Sequence, residues 1–202
     1  MYESERRAFH VSFSRALCFA TELHAGQLRK QTEIPYVSHL LGVASLVLES
    51  GGNSDEAIAA LLHDSIEDCG HIYPGGVEAL RARIRDDFGA AVLAIVEGCT
   101  DADVDPKPAW RGRKEPNIAH LAGASPSVRL VSCSDKLHNA RAIVADLRLM
   151  GNALFERFTA GQSGTLWYYG SLAAEFEKGV SPAPAAELRR TVTAMQQLAQ
   201  QG

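Results

Sequence analysis

His63-Asp64 closes the apolar run AIAALL (residues 57–62), and Glu67 and Asp68 follow within one helical turn. Residues four apart on a helix share a face. A continuous helix therefore predicts His63 above Glu67 and Asp64 above Asp68. Ala59, Ala60, Leu61 and Leu62 should be buried, which sets an imidazole and three carboxylates at the edge of a core. Unpaired buried carboxylates are costly, so the cluster needs a lysine, an arginine or a metal ion. Two more residues pose the same problem. His39 lies on the apolar segment YVSHLLGVA, and Asp135 interrupts the apolar LVSCSDKLHNAR. An aspartate in that setting wants a cation or a strong donor. Its neighbour Lys136 should point a different way round the helix.

His39, His63, Asp64 and Asp135 together supply two imidazoles and two carboxylates. That set suits a divalent ion such as manganese, iron or zinc with open positions, and the two carboxylates without a thiolate favour Mn2+. Such an ion activates water near neutral pH. Glu67 and Asp68 are candidates to orient or deprotonate that water. The plainer reading makes the His-Asp pair a capped helix end with exposed acids and His39 a core histidine.

The elements that must position these residues read as helices, because 3.6-residue periodicity recurs and strand alternation is scarce. Residues 4–26 place Phe9, Phe13, Ala16, Leu17 and Ala20 on one face, and Gly26 stops the run. A loop, QLRKQTEIP, leads into a helix over residues 36–52. Ser54 is expected to cap the next helix, which carries the His-Asp pair. Helices over residues 77–89 and 90–100, a polar loop over 101–110 and a short basic helix over 111–124 follow. Ser125-Pro126 reads as an N-cap and first helical residue of a long apolar helix through Asp135. Two more helices occupy residues 164–179 and 184–200. The expectation is an all-α fold of roughly eight to ten helices in one domain over residues 1–202.

With 46% apolar and 22% charged residues, the composition is that of a globular protein with a sizeable core. A net charge of −4 argues against wrapping a nucleic-acid backbone. Neither a signal peptide nor a membrane-spanning run is visible. Cys18, Cys69, Cys99 and Cys133 are widely spaced and read as reduced thiols of a cytoplasmic protein. The sequence sets no oligomeric state.

Several spaced motifs agree in order with one family. HAGQLRKQTEIPYVSHLLGVA, ALLHDSIEDC and SDKLHNARAI resemble the hydrolase domain of the RelA/SpoT enzymes within the HD-domain phosphohydrolases. The likeness is nearest to the free-standing small alarmone hydrolases. It covers most of residues 20–148, leaving C-terminal helices over 149–202. GTLWYYGSLAAEF also resembles a C-terminal element of bacterial single-domain relatives. The resemblance implies a helical HD domain and a manganese enzyme that removes the 3′-diphosphate of (p)ppGpp, giving GDP or GTP and pyrophosphate.

Carried over position by position, the resemblance puts metal ligands at His39, His63, Asp64 and Asp135 and the paired acids at Glu67 and Asp68. It assigns nucleoside contacts to Arg29 and Lys30 and further substrate contacts to Asn139 and Arg141. The segment RKQTEIPY is one residue longer than the common RKSGEPY form. No synthetase, TGS or ACT region follows in this sequence, so the switching of the large enzymes is not expected.

An alarmone carries phosphates at both ends of its ribose, so an acidic protein must gather a local basic rim. Arg29, Lys30, Lys114, Lys136 and Arg141 are available, with Arg111 and Arg113 beside Trp110. The same metal site would also suit an adenine alarmone or the 2′-phosphate of NADPH. A helical domain that binds nucleotide without turnover is the non-enzymatic alternative, and Glu67 and Asp68 count against it.

Overall fold

The computed structural model describes residues 3–101, 109–178 and 182–201. The chain divides into two compact units. The first, Met1–Lys107, holds α1 (Glu3–Leu23), α2 (Val37–Glu49), α3 (Ser54–Leu62), α4 (Ser65–Cys69), α5 (Gly76–Phe88) and α6 (Ala90–Cys99). The second, Pro108–Gly202, holds α7 (Trp110–Leu121), α8 (Pro126–Met150), a 3-10 segment Gly151–Arg157, α9 (Gly161–Phe176) and α10 (Ala185–Gln201). Ten α-helices and no strand occur among the described residues, so the fold is all-α. An isolated antiparallel bridge, Leu28 to Pro35, pinches the loop between α1 and α2. Most of the loop expected at 101–110 lies outside the described residues.

A helix that is apolar on every side has to be surrounded. α3 is the case here: Ala57, Ala59, Ala60, Leu61 and Leu62 have no exposed surface. α1, α2 and α6 pack against it, with Ala16 and Ala20 of α1, Leu40 and Val43 of α2 and Val92 and Val96 of α6 all fully buried. The expected burial of residues 59–62 holds.

The cap of α3 is Asn53 and not Ser54. Asn53 Oδ1 accepts the N–H groups of Asp55 at 2.9 Å and Glu56 at 3.1 Å, and the Glu56 carboxylate accepts the Asn53 N–H at 2.7 Å. This reciprocal arrangement is a capping box.

In the second unit, α8 packs against α9, α10 and the 3-10 segment, and α7 packs on α9. Ser125 Oγ accepts the Val128 N–H at 3.3 Å, with Pro126 at the first turn of α8, as expected. Arg129 is buried at the start of this helix. Its guanidinium donates to the carbonyls of Leu121 at 2.6 Å, Glu175 at 3.1 Å, Phe176 at 3.2 Å and Lys178 at 2.9 Å. Those carbonyls are left open where α7 and α9 end. No helix of the described residues is long and apolar enough to cross a membrane.

Candidate functional site

The helix through the His-Asp pair is broken. α3 ends at Leu62, His63 and Asp64 form a turn, and α4 restarts at Ser65. This corrects the continuous helix expected from the sequence. The pair stands at the junction of two short helices, and the two acids that follow diverge. Glu67 accepts the backbone N–H of Asp101 at 3.2 Å, and Asp68 Oδ2 accepts an amide hydrogen of Gln27 at 2.8 Å.

His39, in the first turn of α2, meets His63 with ring centroids 5.2 Å apart. Both are almost fully buried. Asp64 Oδ2 lies 2.9 Å from His63 Nε2 and 3.6 Å from His39 Nε2. It also accepts the Tyr36 hydroxyl at 2.5 Å. His63 Nδ1 sits 2.8 Å from the Ala60 carbonyl oxygen. A carbonyl only accepts, so Nδ1 carries the hydrogen and a neutral ring turns its Nε2 lone pair toward Asp64 Oδ2. Two electron-rich atoms at that distance repel unless a proton or a cation lies with them. Tying one ring nitrogen to a backbone carbonyl is how metal-binding histidines fix their tautomer. His39, His63 and Asp64 thus fit a divalent cation of borderline hardness.

The loop that carries Arg29 and Lys30 is held by its backbone. The Arg29 N–H donates to Ile34 O at 2.8 Å and the Tyr36 N–H to Gln27 O at 2.9 Å, and Gln31 takes a left-handed φ of 55° at the turn. Arg29 is half-buried and Lys30 exposed. The same loop supplies Gln27 and Tyr36, which the reading of the sequence passed over. Both lie inside the motif run, Gln27 three residues after His24 and Tyr36 three residues before His39.

In the second unit, Asp135 is 5% exposed. Its Oδ1 accepts from Asn139 Nδ2 at 2.6 Å, and its Oδ2 faces Lys136 Nζ at 2.6 Å. Lys136 therefore does partner Asp135, contrary to expectation, because four methylenes let the ammonium curl back on its own neighbour. Burial works against the Lys136 ammonium. The Asp135 carboxylate, joined by Tyr168 and Tyr169, outweighs it and holds the group well above the usual lysine range. Lys114 Nζ lies 5.1 Å from the centre of the Tyr168 ring. Arg111 stacks 3.5 Å from the centre of Trp167 and pairs with Glu115. Arg141 is exposed on α8 and stands 3.7 Å from Glu187 of α10.

A family model described as an HD domain matches residues 16–166. The chain belongs to the HD-domain family. Among similar proteins, the guanosine-3′,5′-bis(diphosphate) 3′-pyrophosphohydrolase MESH1 of Xenopus tropicalis is 39% identical over 126 residues, 61% of this chain and 64% of that protein. The guanosine-3′,5′-bis(diphosphate) 3′-pyrophosphohydrolase of Aquifex aeolicus is 36% identical over 132 residues, 64% of this chain and 17% of that protein. The match thus spans less than two thirds of these relatives' own length. The crystal structure of lmo0812 from Listeria monocytogenes superposes with a TM-score of 0.66 at 26% identity, over 77% of this chain and 96% of that one. The structure described as "A metazoan ortholog of SpoT hydrolyzes ppGpp and plays a role in starvation responses" gives a TM-score of 0.68 at 23% identity over 94% of each chain. It shares the fold of this HD-domain protein.

Proposed function

We propose that this HD-domain protein is a manganese-dependent alarmone pyrophosphohydrolase of the cytoplasm. It removes the 3′-diphosphate of (p)ppGpp to give GDP or GTP and pyrophosphate. The observation that carries the reading is the convergence of His39, His63 and Asp64, with the His63 tautomer set by Ala60, in a chain 34–39% identical to proteins named for that activity. Asp135 is assigned as the fourth ligand on the order of the motifs along the chain. A cation held by these residues supplies Lewis-acid activation of a phosphoryl oxygen and of the attacking water.

The protein's own groups do the rest. Glu67 and Asp68 are assigned to orient the water and take its proton. Arg29 offers a planar guanidinium to the purine face, and Lys30 an ammonium to phosphate. Lys114, Asn139 and Arg141 are assigned to the substrate's polar groups. Stringent-response signalling is the process in which this chemistry would act.

The test is a manganese-dependent assay across ppGpp, pppGpp, ppApp and NADPH, with products resolved by ion-exchange chromatography. Release of intact pyrophosphate from ppGpp is expected. Release of orthophosphate from NADPH alone, or binding without turnover of any of the four, overturns the reading.

A further inference from the structure

His24, just past the end of α1, is 4% exposed and belongs to no ligand set above. Its surroundings fix the sense of each hydrogen bond. Only the amide nitrogen of Gln27 can donate, and it stands 2.8 Å from Asp68 Oδ2. Gln27 Oε1 is therefore turned to His24 Nδ1, 2.6 Å away. An amide oxygen only accepts, so Nδ1 carries the hydrogen. Cys69 Sγ lies over the ring edge, 3.7 Å from Nδ1 and 3.8 Å from Nε2, more than 1 Å farther from Nδ1 than Gln27 Oε1 is. A directed row of donors thus runs from His24 through Gln27 to Asp68, and hydrogen bonds in such a row polarise one another.

The same ring has a second contact. It stacks on Tyr36, with centroids 5.2 Å apart and planes at 25°, and Tyr36 donates to Asp64 Oδ2. Asp68 and Asp64 lie four residues apart on either side of the helix restart. Each is bonded by a residue that the buried His24 ring touches, Gln27 for Asp68 and Tyr36 for Asp64.

We infer that His24 is a positioning residue: it fixes the Asp68 carboxylate through Gln27 and braces Asp64 through Tyr36. The inference rests on the proposed function for its kinetic consequence and on geometry alone for its tautomer.

The experiment uses the full chain loaded with manganese and three substitutions. His24→Asn keeps an N–H donor where Nδ1 stands. His24→Gln places its donor at the Nε2 position instead. His24→Phe keeps the ring against Tyr36 and removes every donor. The phenylalanine variant should lose about tenfold in kcat, a barrier change of about 1.4 kcal/mol, with KM and the manganese dissociation constant within twofold of the parent. The asparagine variant should recover most of the loss and the glutamine variant little of it. Equal losses in all three, or an unchanged kcat in His24→Phe, overturn the inference.

Nitrogen-15 NMR of the ring gives a readout that needs no turnover. His24 should be protonated at Nδ1 in the parent and lose that preference in Gln27→Leu. An Nε2–H ring in the parent overturns the inference even if ppGpp is hydrolysed. Failure to hydrolyse any alarmone sinks the proposed function and leaves the NMR result standing.

Discussion

Tyr36 donates its phenolic hydrogen to Oδ2 of Asp64 across 2.5 Å, and that oxygen is the one 2.9 Å from His63 Nε2. One carboxylate oxygen is thus aimed by a donor outside the proposed ligand set. Groups in this position commonly govern metal affinity by one to two orders of magnitude.

Tyr36→Phe removes that donor and keeps the ring against His24. Manganese affinity, read by calorimetry, should fall roughly tenfold, with the melting temperature close to the parent's. Unchanged affinity would show that Asp64 needs no aiming.

Asp135→Ala should abolish both manganese binding and turnover. It also leaves the Lys136 ammonium without its carboxylate, and a poorly solvated charge stripped of its partner destabilises the fold. The melting temperature should therefore drop by several degrees even without metal. A variant that kept full manganese occupancy and normal turnover would remove Asp135 from the ligand set.

Glu67→Gln conserves size and can still accept the Asp101 N–H, but it loses the charge that takes a proton. Turnover should fall by roughly 10²-fold or more while manganese stays bound, the usual scale for a general base. Loss of manganese instead would make Glu67 a ligand-ordering group.

Two thiols should stay inert in the native protein. Burial pushes Cys69 up to about 12, aided by Asp68 and Asp64. Burial likewise pushes Cys133 up to about 12, with Arg129 opposing and Asp135 adding. A chromogenic disulfide at pH 8 should label exposed Cys18 and reach these two only on unfolding. The folded thiols hold their protons above the ordinary value of 9.0, where unfolded thiols give theirs up. Their contribution to stability is complete below pH 9 and is lost as pH rises toward 12. Alanine at both positions should flatten the alkaline fall in melting temperature.

The helices were legible because their apolar periodicity is strong, and Ser125-Pro126 marks a start by backbone chemistry alone. The expected cap at Ser54 was a misreading of a signal that is present: Asn53 stands three residues before Glu56, whereas Ser54 stands three before an alanine. The break at His63-Asp64 was not legible, since no glycine or proline marks it. His63 keeps a helical φ of −59°, and the departure falls at Asp64, with φ −96° and ψ −3°. The side chain of His63 reaching back to Ala60 accompanies the break, and no local rule encodes that. The histidines and the His-Asp pair stood out by chemical type. Gln27 and His24 did not, because an amide and a first-helix histidine become informative only when their partners, 41 and 45 residues away, are in place.

Arg129 ties α8 to the end of α9. One of its four carbonyl acceptors lies eight residues upstream, and the other three lie 46, 47 and 49 residues downstream. A guanidinium cannot shed its charge, and hiding it without acceptors is costly. Three of these carbonyls come from the end of α9 and the residues just after it, so the buried charge couples the docking of α9 to the covering of this flank of α8.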